Sequence, residues 1–130
     1  MNVLLLFSIS ISAQNMLINT NSKGAYPSFK WLSDSVLFMG QLELNKPVKV
    51  FFEYENKGDA ALLISKVETS CGCTSVEYSK EPIAPGAKGF ILTTYNASSL
   101  GTFSKNLTVY ANTPDRSRIL TIKGEVVQKN

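Results

Sequence analysis

Apolar and polar residues alternate in short segments along most of this chain. In residues 48–54 the even-numbered positions are apolar, while Lys49 and Glu53 occupy odd-numbered positions. An alternation with a period of two predicts a β-strand with one buried face. Further extended segments lie at residues 36–39, 62–67, 76–78, 88–96, 103–109 and 120–126. The pattern from residue 36 onward lacks the spacing of apolar residues that is typical of a helix.

Turn-forming residues separate these segments. Residues 56–59 and 112–115 are rich in Asn, Gly, Pro and Asp, which favour turns. At Pro85-Gly86 the proline presets one turn residue and the glycine is free to take a positive φ, so we expect a structural turn there. Short strands with turns this frequent predict an all-β fold, an immunoglobulin-like Greek-key β-sandwich of about seven strands.

Two positions qualify this pattern. The first strand is expected to end at Gly40, and Lys105 falls on the apolar face of its segment, where a bulge or an edge position would accommodate it. The positions expected to be buried on the later strands are Ile91, Thr93, Tyr95, Phe103, Leu107 and Val109.

The start of the chain has a different composition. Residues 3–13 form an apolar run that is too short to span a bilayer but fits the hydrophobic part of a signal peptide. We therefore expect a signal peptide at 1–13, an irregular segment at 14–35 and the sandwich at 36–128. Export to the periplasm or the cell surface follows, with no transmembrane segment in the mature chain. Phe29 and Trp31 are expected to attach the irregular segment to the sandwich.

Composition excludes several classes of function. The chain has 130 residues, a net charge of +3, dispersed lysines and two arginines, which is a poor footprint for nucleic-acid binding. It contains no histidine, the commonest general base and metal ligand. Serine hydrolase and cysteine protease sites become implausible, because each normally requires an imidazole. We expect no enzymatic activity and no cofactor.

The two cysteines, Cys71 and Cys73, are the candidate site, as a redox or disulfide pair. In an oxidising compartment exposed thiols seldom stay free, and residues two apart are close enough for a disulfide. Gly72 would give so small a ring the backbone freedom that it needs. Such a pair would either pin a loop or act in thiol redox chemistry, with one sulfur as nucleophile and its neighbour as the resolving thiol.

Metal binding by the same pair is the third alternative. Two thiolates without histidine cannot complete a tetrahedral zinc site within one chain. A two-thiolate Cu(I) site is conceivable, because soft thiolates favour that ion, and Met39 or Met16 would be its accessory ligand. Since a lone methionine in a β segment is ordinarily core filler, we assign no metal ligands.

A string of residues spread over the chain forms a recognisable pattern. The string comprises Phe52, Tyr54, Asn56, Gly58, Leu62, Ile64, residues 70–74, Pro85, Gly86, Gly101, Phe103, Asn112 and residues 124–126. This pattern resembles that of the bacterial domain-of-unknown-function family 1573, found mainly in exported proteins of Gram-negative bacteria, over residues 36–127. The resemblance implies an immunoglobulin-like sandwich akin to major-sperm-protein and chaperone-type sandwiches, and it implies no established activity. The sequence departs from the family at Phe38-Met39-Gly40.

Together these observations predict an exported, non-enzymatic domain that acts as a protein-interaction or structural module of the cell envelope. Its partner would be another protein of the envelope, taken up at an exposed sheet edge. The alternative is a small periplasmic thiol-redox or Cu(I)-handling protein that uses Cys71 and Cys73.

Overall fold

The computed structural model describes residues 24–129, which form eight strands in two four-stranded sheets. The first sheet has the order β1-β3-β6-β5 and the second has the order β2-β8-β7-β4. The all-β, immunoglobulin-like sandwich expected from the sequence is confirmed, with eight strands instead of about seven. The strands are β1 (Phe29–Trp31), β2 (Val36–Glu43), β3 (Val48–Asn56), β4 (Ile64–Thr69), β5 (Thr74–Tyr78), β6 (Lys88–Tyr95), β7 (Gly101–Ala111) and β8 (Ser117–Val127).

The chain changes sheet at both sides of the sandwich. Between β1 and β2, and again between β4 and β5, a short connection carries it from one sheet to the other. Neighbouring strands are antiparallel except for β2 and β8, which run parallel with Val36 opposite Thr121. As a result β4 and β5 lie on one side of the sandwich, and β1 and β2 lie on the other.

The core lies between the inner faces of the two sheets, where alternate side chains meet. Phe52 and Tyr54 on β3 are fully buried, as the alternation in residues 48–54 predicts. The burial expected on the later strands is also confirmed, because all six positions are buried. The core comprises Leu42, Val50, Phe52, Tyr54, Leu62, Ile64, Ile91, Tyr95, Ala97, Phe103, Leu107, Val109, Leu120, Ile122 and Val126.

The first strand of the second sheet differs from the expectation. β2 does not end at Gly40 but continues to Glu43, with a register shift against β8 between Phe38 and Gln41. Gly40 has a φ of +68°, which lets the backbone bulge and then resume pairing. The glycine therefore interrupts the alternation without ending the strand.

The segment 14–35 is not irregular throughout its described part. Phe29–Trp31 forms β1 and pairs with the end of β3, with Trp31 opposite Tyr54. The rings of Phe29 and Trp31 are stacked 4.7 Å apart and both meet Tyr54 edge-on. Aromatic packing on a buried tyrosine thus makes this short segment part of the sheet.

Lys105 lies at an edge position. The register between β7 and β8 is continuous through Lys105, so no bulge occurs there. On its other side β7 pairs with β4 only from Leu107 onward. The lysine therefore lies beyond the end of β4, where it is half-exposed.

Two further predictions from the sequence concern the N-terminal segment and the membrane. Residues 1–13, for which the sequence predicts a signal peptide, lie outside the described residues. Within residues 24–129, no helix is long and apolar enough to cross a membrane.

Candidate functional site

The two cysteines lie in the connection that carries the chain from β4 in one sheet to β5 in the other. Hydrogen bonds fix both ends of this connection. Ser70 N donates to Asn106 O at 2.9 Å, and Asn106 N donates to Ser70 Oγ at 3.0 Å, so the end of β4 is held on β7. Asn96 N donates to Cys73 O at 3.1 Å and aligns the start of β5 on β6. Only Cys71 and Gly72 lie between these two anchored residues.

Cys71 and Cys73 form a disulfide, with their Cα atoms 5.3 Å apart. Both residues are half-buried, and Cys73 packs against the core. A ring this small closes little chain, so in the entropy model its stabilisation is about 1–2 kcal/mol. The structure thus brings the predicted pair together at the corner where the chain passes between the sheets.

Hydroxyl groups on both sides support the same connection. Thr69 Oγ1 donates to Cys71 O at 2.9 Å, and Thr74 Oγ1 donates to the same oxygen at 3.3 Å. Cys73 N donates to Cys71 Sγ at 3.4 Å. The two threonine hydroxyls therefore bond to the Cys71 carbonyl. These hydrogen bonds hold the connection together with the sulfur–sulfur bond.

Gly72 has a smaller part than the sequence suggests. It is exposed and lies in the turn, but its φ is not in the left-handed region, and an added Cβ would meet no atom within 4 Å. Gly86 does take a positive φ of +84°, in a turn where Ala87 N donates to Ala84 O at 2.9 Å. Of the glycines in these two turns, only Gly86 is required by its backbone conformation.

The structure does not bring the proposed Cu(I) ligands together. Met39 lies on β2, at the opposite end of the sheet order from β4, and Met16 lies outside the described residues. In the part of the chain from residue 24 to residue 129, no three His, Cys, Asp or Glu side chains are grouped so that they could hold a metal ion.

A model of the family described as "Protein of unknown function (DUF1573)" matches residues 29–126. The chain belongs to this family. The match begins within β1, which places that short strand inside the DUF1573 domain. A search of curated proteins found no similar sequence.

Solved structures show the same fold at low sequence identity. A protein of unknown function from Porphyromonas gingivalis W83 is 20% identical, with a TM-score of 0.69, over 82% of this chain and 51% of the other. The PapD-like domain 7 of human CEP192 is 7% identical, with a TM-score of 0.67, over 87% of this chain and 94% of that domain. The VesB protease of Vibrio cholerae is 18% identical, with a TM-score of 0.59, over 91% of this chain and 35% of the protease.

These likenesses establish the fold of the DUF1573 domain and nothing of its activity. The chain spans about half of the Porphyromonas protein and about a third of the protease. Neither the family description nor the PapD-like fold points to enzymatic activity.

Asn56 is the residue of the DUF1573 domain that the turn-based interpretation missed. Its side chain is fully buried and has four hydrogen-bond partners, so both the oxygen and the nitrogen of the amide are fully hydrogen-bonded. Because Asn56 continues the even-numbered buried positions of β3, the alternation itself could have identified it. The amide oxygen accepts from Ser28 N at 3.2 Å and Gly58 N at 2.9 Å, and the amide nitrogen donates to Ala60 O at 2.7 Å and Ile83 O at 2.9 Å.

Other residues of the family string also serve the fold. An added Cβ on Gly58 would overlap the backbone of residues 26–28, so the chain before β1 requires a glycine there. Asn112 Oδ1 accepts from Leu63 N at 2.9 Å, and its Nδ2 donates to Ala61 O at 3.1 Å. These contacts hold the residues just before β4 against Asn112, the residue that follows β7. In this DUF1573 domain, Asn56, Gly58 and Asn112 therefore attach loops to the neighbouring strands.

Among the described residues, Tyr54 has the largest pKa shift. Burial raises the pKa of Tyr54 to about 12, opposed in small part by the nearby Ser79 hydroxyl. The phenol oxygen is buried and has no hydrogen-bond partner among residues 24–129. Burial also raises the pKa of Tyr95. Both tyrosines pack in the core of the DUF1573 domain, so these shifts reflect packing.

Proposed function

We propose that this DUF1573 domain is an exported, non-enzymatic module of the cell envelope that acts by contact with another envelope protein. The observation that carries the proposal is the set of open sheet edges. β1, β2, β4 and β5 each pair with one strand only, so one side of each is free, and β1 is only three residues long. An edge with free N–H and C=O groups accepts an additional strand from a partner.

The edge formed by β5 offers the simplest geometry for such a contact. β2 and β4 both contain register shifts, which disrupt a regular ladder, whereas β5 pairs with β6 without any shift. Its exposed residues Ser75 and Glu77 lie on the outer face, and the disulfide holds Cys73, the residue before the strand, at the corner of the sandwich. The disulfide then acts structurally, by fixing the start of an edge strand.

Export is tested with the full chain expressed in a Gram-negative host. The expected result is a periplasmic or surface-bound product whose mass lacks residues 1–13. A cytoplasmic product with an intact N-terminus would reject the localisation. The same preparation shows whether Cys71 and Cys73 are bonded, through a thiol titration with and without reductant.

Contact with a partner is tested by site-specific photocrosslinking in cells. A photoreactive residue at Glu77, on the edge strand, is expected to crosslink to one discrete protein other than the domain itself. The matched control is Thr108, a half-exposed position on the outer face of β7 that pairs with both β4 and β8. Equal crosslinking at both positions, or none at Glu77, would reject the proposed edge.

The thiol-redox or Cu(I) alternative has one observation in its favour, the partial exposure of the two bonded cysteine residues in a small ring. A folded Cys71→Ser/Cys73→Ser variant separates the two functions. The contact proposal predicts that crosslinking at Glu77 and the cellular role both persist. Loss of the cellular role with crosslinking intact would favour the redox or Cu(I) function.

A further inference from the structure

The first half of β3 lacks a partner on one side. β1 pairs with residues 54–56 of β3 only, and the pairing ends where Leu32 N donates to Glu53 O at 2.9 Å and Glu53 N donates to Ser33 Oγ at 3.3 Å. The chain then crosses to the other sheet. Within residues 24–129, nothing pairs with residues 48–52 on that side, although β6 covers their other side without a register shift.

The direction of the free backbone groups follows from the ladder. Asn56 N donates to Ala87 O at 2.9 Å and Gly86 N donates to Asn56 O at 2.7 Å, so the even-numbered residues of β3 are bonded on the β6 side. Since N–H and C=O groups alternate along an antiparallel strand, odd-numbered residues point the other way. The free donors and acceptors of this edge therefore belong to Lys49 and Phe51.

An apolar surface adjoins this open edge. Phe51 is 53% exposed on the outer face of its sheet, and its ring stacks on Phe90 at 5.6 Å between centroids. Leu32, at 41% exposure, lies next to Glu53, and Leu92 lies opposite Phe51 on β6. The edge of β5 has no comparable surface, because its exposed outer residues are Ser75 and Glu77.

We propose that a second copy of this chain pairs here, β3 against β3, in antiparallel orientation about a twofold axis at Val50. Lys49 of each copy then lies opposite Phe51 of the other, and the four free residues exchange four backbone hydrogen bonds. The ammonium group of Lys49 lies within reach of the facing ring, which favours a cation–π contact. The segment is therefore complementary to itself.

The existing contacts of Glu53 select this register. Shifting the axis to Phe51 would place Lys49 opposite Glu53 of the second copy, whose N–H and C=O are already bonded to Ser33 and Leu32. A lysine on an edge ordinarily discourages pairing. In the proposed register, however, each Lys49 faces an aromatic ring and not another lysine.

The self-association should be weak and dependent on concentration. Five residues and a small apolar surface bury less than the roughly 1,000 Å² that a stable interface requires. Sedimentation velocity between about 10 µM and 1 mM is expected to show the apparent mass rising toward twice that of the monomer. Phe51→Glu should abolish the rise. Ile119→Glu should not, because Ile119 has a similar exposure, 58%, but lies on β8 in the other sheet.

Amide hydrogen exchange supplies a second readout that does not depend on a variant folding. Exchange at Lys49 and Phe51 should slow at least several-fold on going from dilute to concentrated protein. Exchange at Thr74 and Val76, on the open edge of β5, should not change. A chain that stays monomeric at 1 mM, or protection that appears at β5 and not at β3, would overturn the proposal.

This inference is independent of the proposed envelope contact. Failure of β3 pairing leaves the crosslinking test at Glu77 unaffected. Conversely, a confirmed β3 dimer with no crosslink at Glu77 would retain the self-association and reject the partner-binding function.

Discussion

Replacing the buried Asn56 by alanine should cost more stability than any other asparagine substitution in the described chain. The substitution removes two acceptor and two donor contacts and leaves the N–H groups of Ser28 and Gly58 and the carbonyl of Ala60 without a partner. The carbonyl of Ile83 loses one of its two donors but still accepts from Leu62 N at 2.9 Å. A buried polar group without a partner costs about 1–3 kcal/mol. Because water would enter the vacated space and satisfy some of these three groups, we expect a total loss of about 3–5 kcal/mol.

The loss of stability is measurable by urea denaturation, with the fluorescence of Trp31 as the signal. Asn96→Ala is the matched control, because the exposed Asn96 makes one side-chain hydrogen bond, to Ser98 N at 3.2 Å. It should cost less than about 1 kcal/mol. Asn112→Ala, which removes two exposed contacts, should fall between the two. The reasoning is refuted if Asn56→Ala and Asn96→Ala cost the same.

An isosteric replacement tests the hydrogen-bond directions separately from the volume. Asn56→Asp keeps both acceptor contacts but directs a carboxylate oxygen toward the carbonyls of Ala60 and Ile83. Burial without a counterion disfavours the charged form, so protonation should restore part of the lost stability. We expect Asn56→Asp to regain stability relative to the wild type as the pH falls from 7 toward 5. No pH-dependent difference would show that the amide nitrogen is not the donor.

Three further predictions concern other parts of the fold. Burial raises the pKa of Tyr54 to about 12, against about 10 in the unfolded chain. The free energy of unfolding should therefore fall by about 2 kcal/mol as the pH rises from 10 to 12. Tyr54→Phe should remove this loss, as measured by urea denaturation at each pH. Gly89→Ala should cost about 1–3 kcal/mol, because its Cβ would overlap the Tyr54 ring, whereas Gly72→Ala should stay within about 0.5 kcal/mol in thermal melts. Cys71→Ser/Cys73→Ser should lower the free energy of unfolding by only about 1–2 kcal/mol.

Each of these predictions has its own contrary result. Tyr54→Phe at pH 7 should match or exceed the wild type, since the hydroxyl is buried without a partner, and a large loss would indicate a hydrogen bond there. Similar melts for Gly89→Ala and Gly72→Ala would contradict the packing of Tyr54 on β6. A cysteine variant that fails to fold would show that the hydroxyl contacts to Cys71 O do not suffice to hold the connection.

The fold was predictable from the sequence because burial imposes a period of two. Phe52 and Tyr54 on β3, and Ile91 on β6, are buried where the alternation places them. The pattern fails where the backbone departs from regular pleating, as at Gly40, where a bulge carries β2 onward. It also fails for β1, since three residues are too few to show a period and their pairing depends on Tyr54, a distant partner.

The site was predictable in part, for a different reason. The proximity of Cys71 and Cys73 follows from chain connectivity, so the pair was evident. The hydrogen bonds from Asn106 and Asn96 that anchor the two ends of the connection come from distant parts of the chain. The four partners of Asn56 come from three separate loops. No local pattern specifies contacts 27 or 28 residues away. The open half of β3 likewise appears only once the sheet order is known.

The polar groups of this domain divide into those that hold the fold and those that are free for contact. Asn56 and the Cys71 carbonyl have their partners inside the chain. The backbone groups of Lys49 and Phe51 on the open edge have no strand partner within residues 24–129. Exchanging hydration for a second strand yields only about 0.5–1.5 kcal/mol per hydrogen bond. Burial of the Phe51 ring must therefore supply most of the affinity, whereas hydrogen bonding and Lys49 set the register. For that reason Phe51→Glu should abolish self-association, while Lys49→Gln should only weaken it.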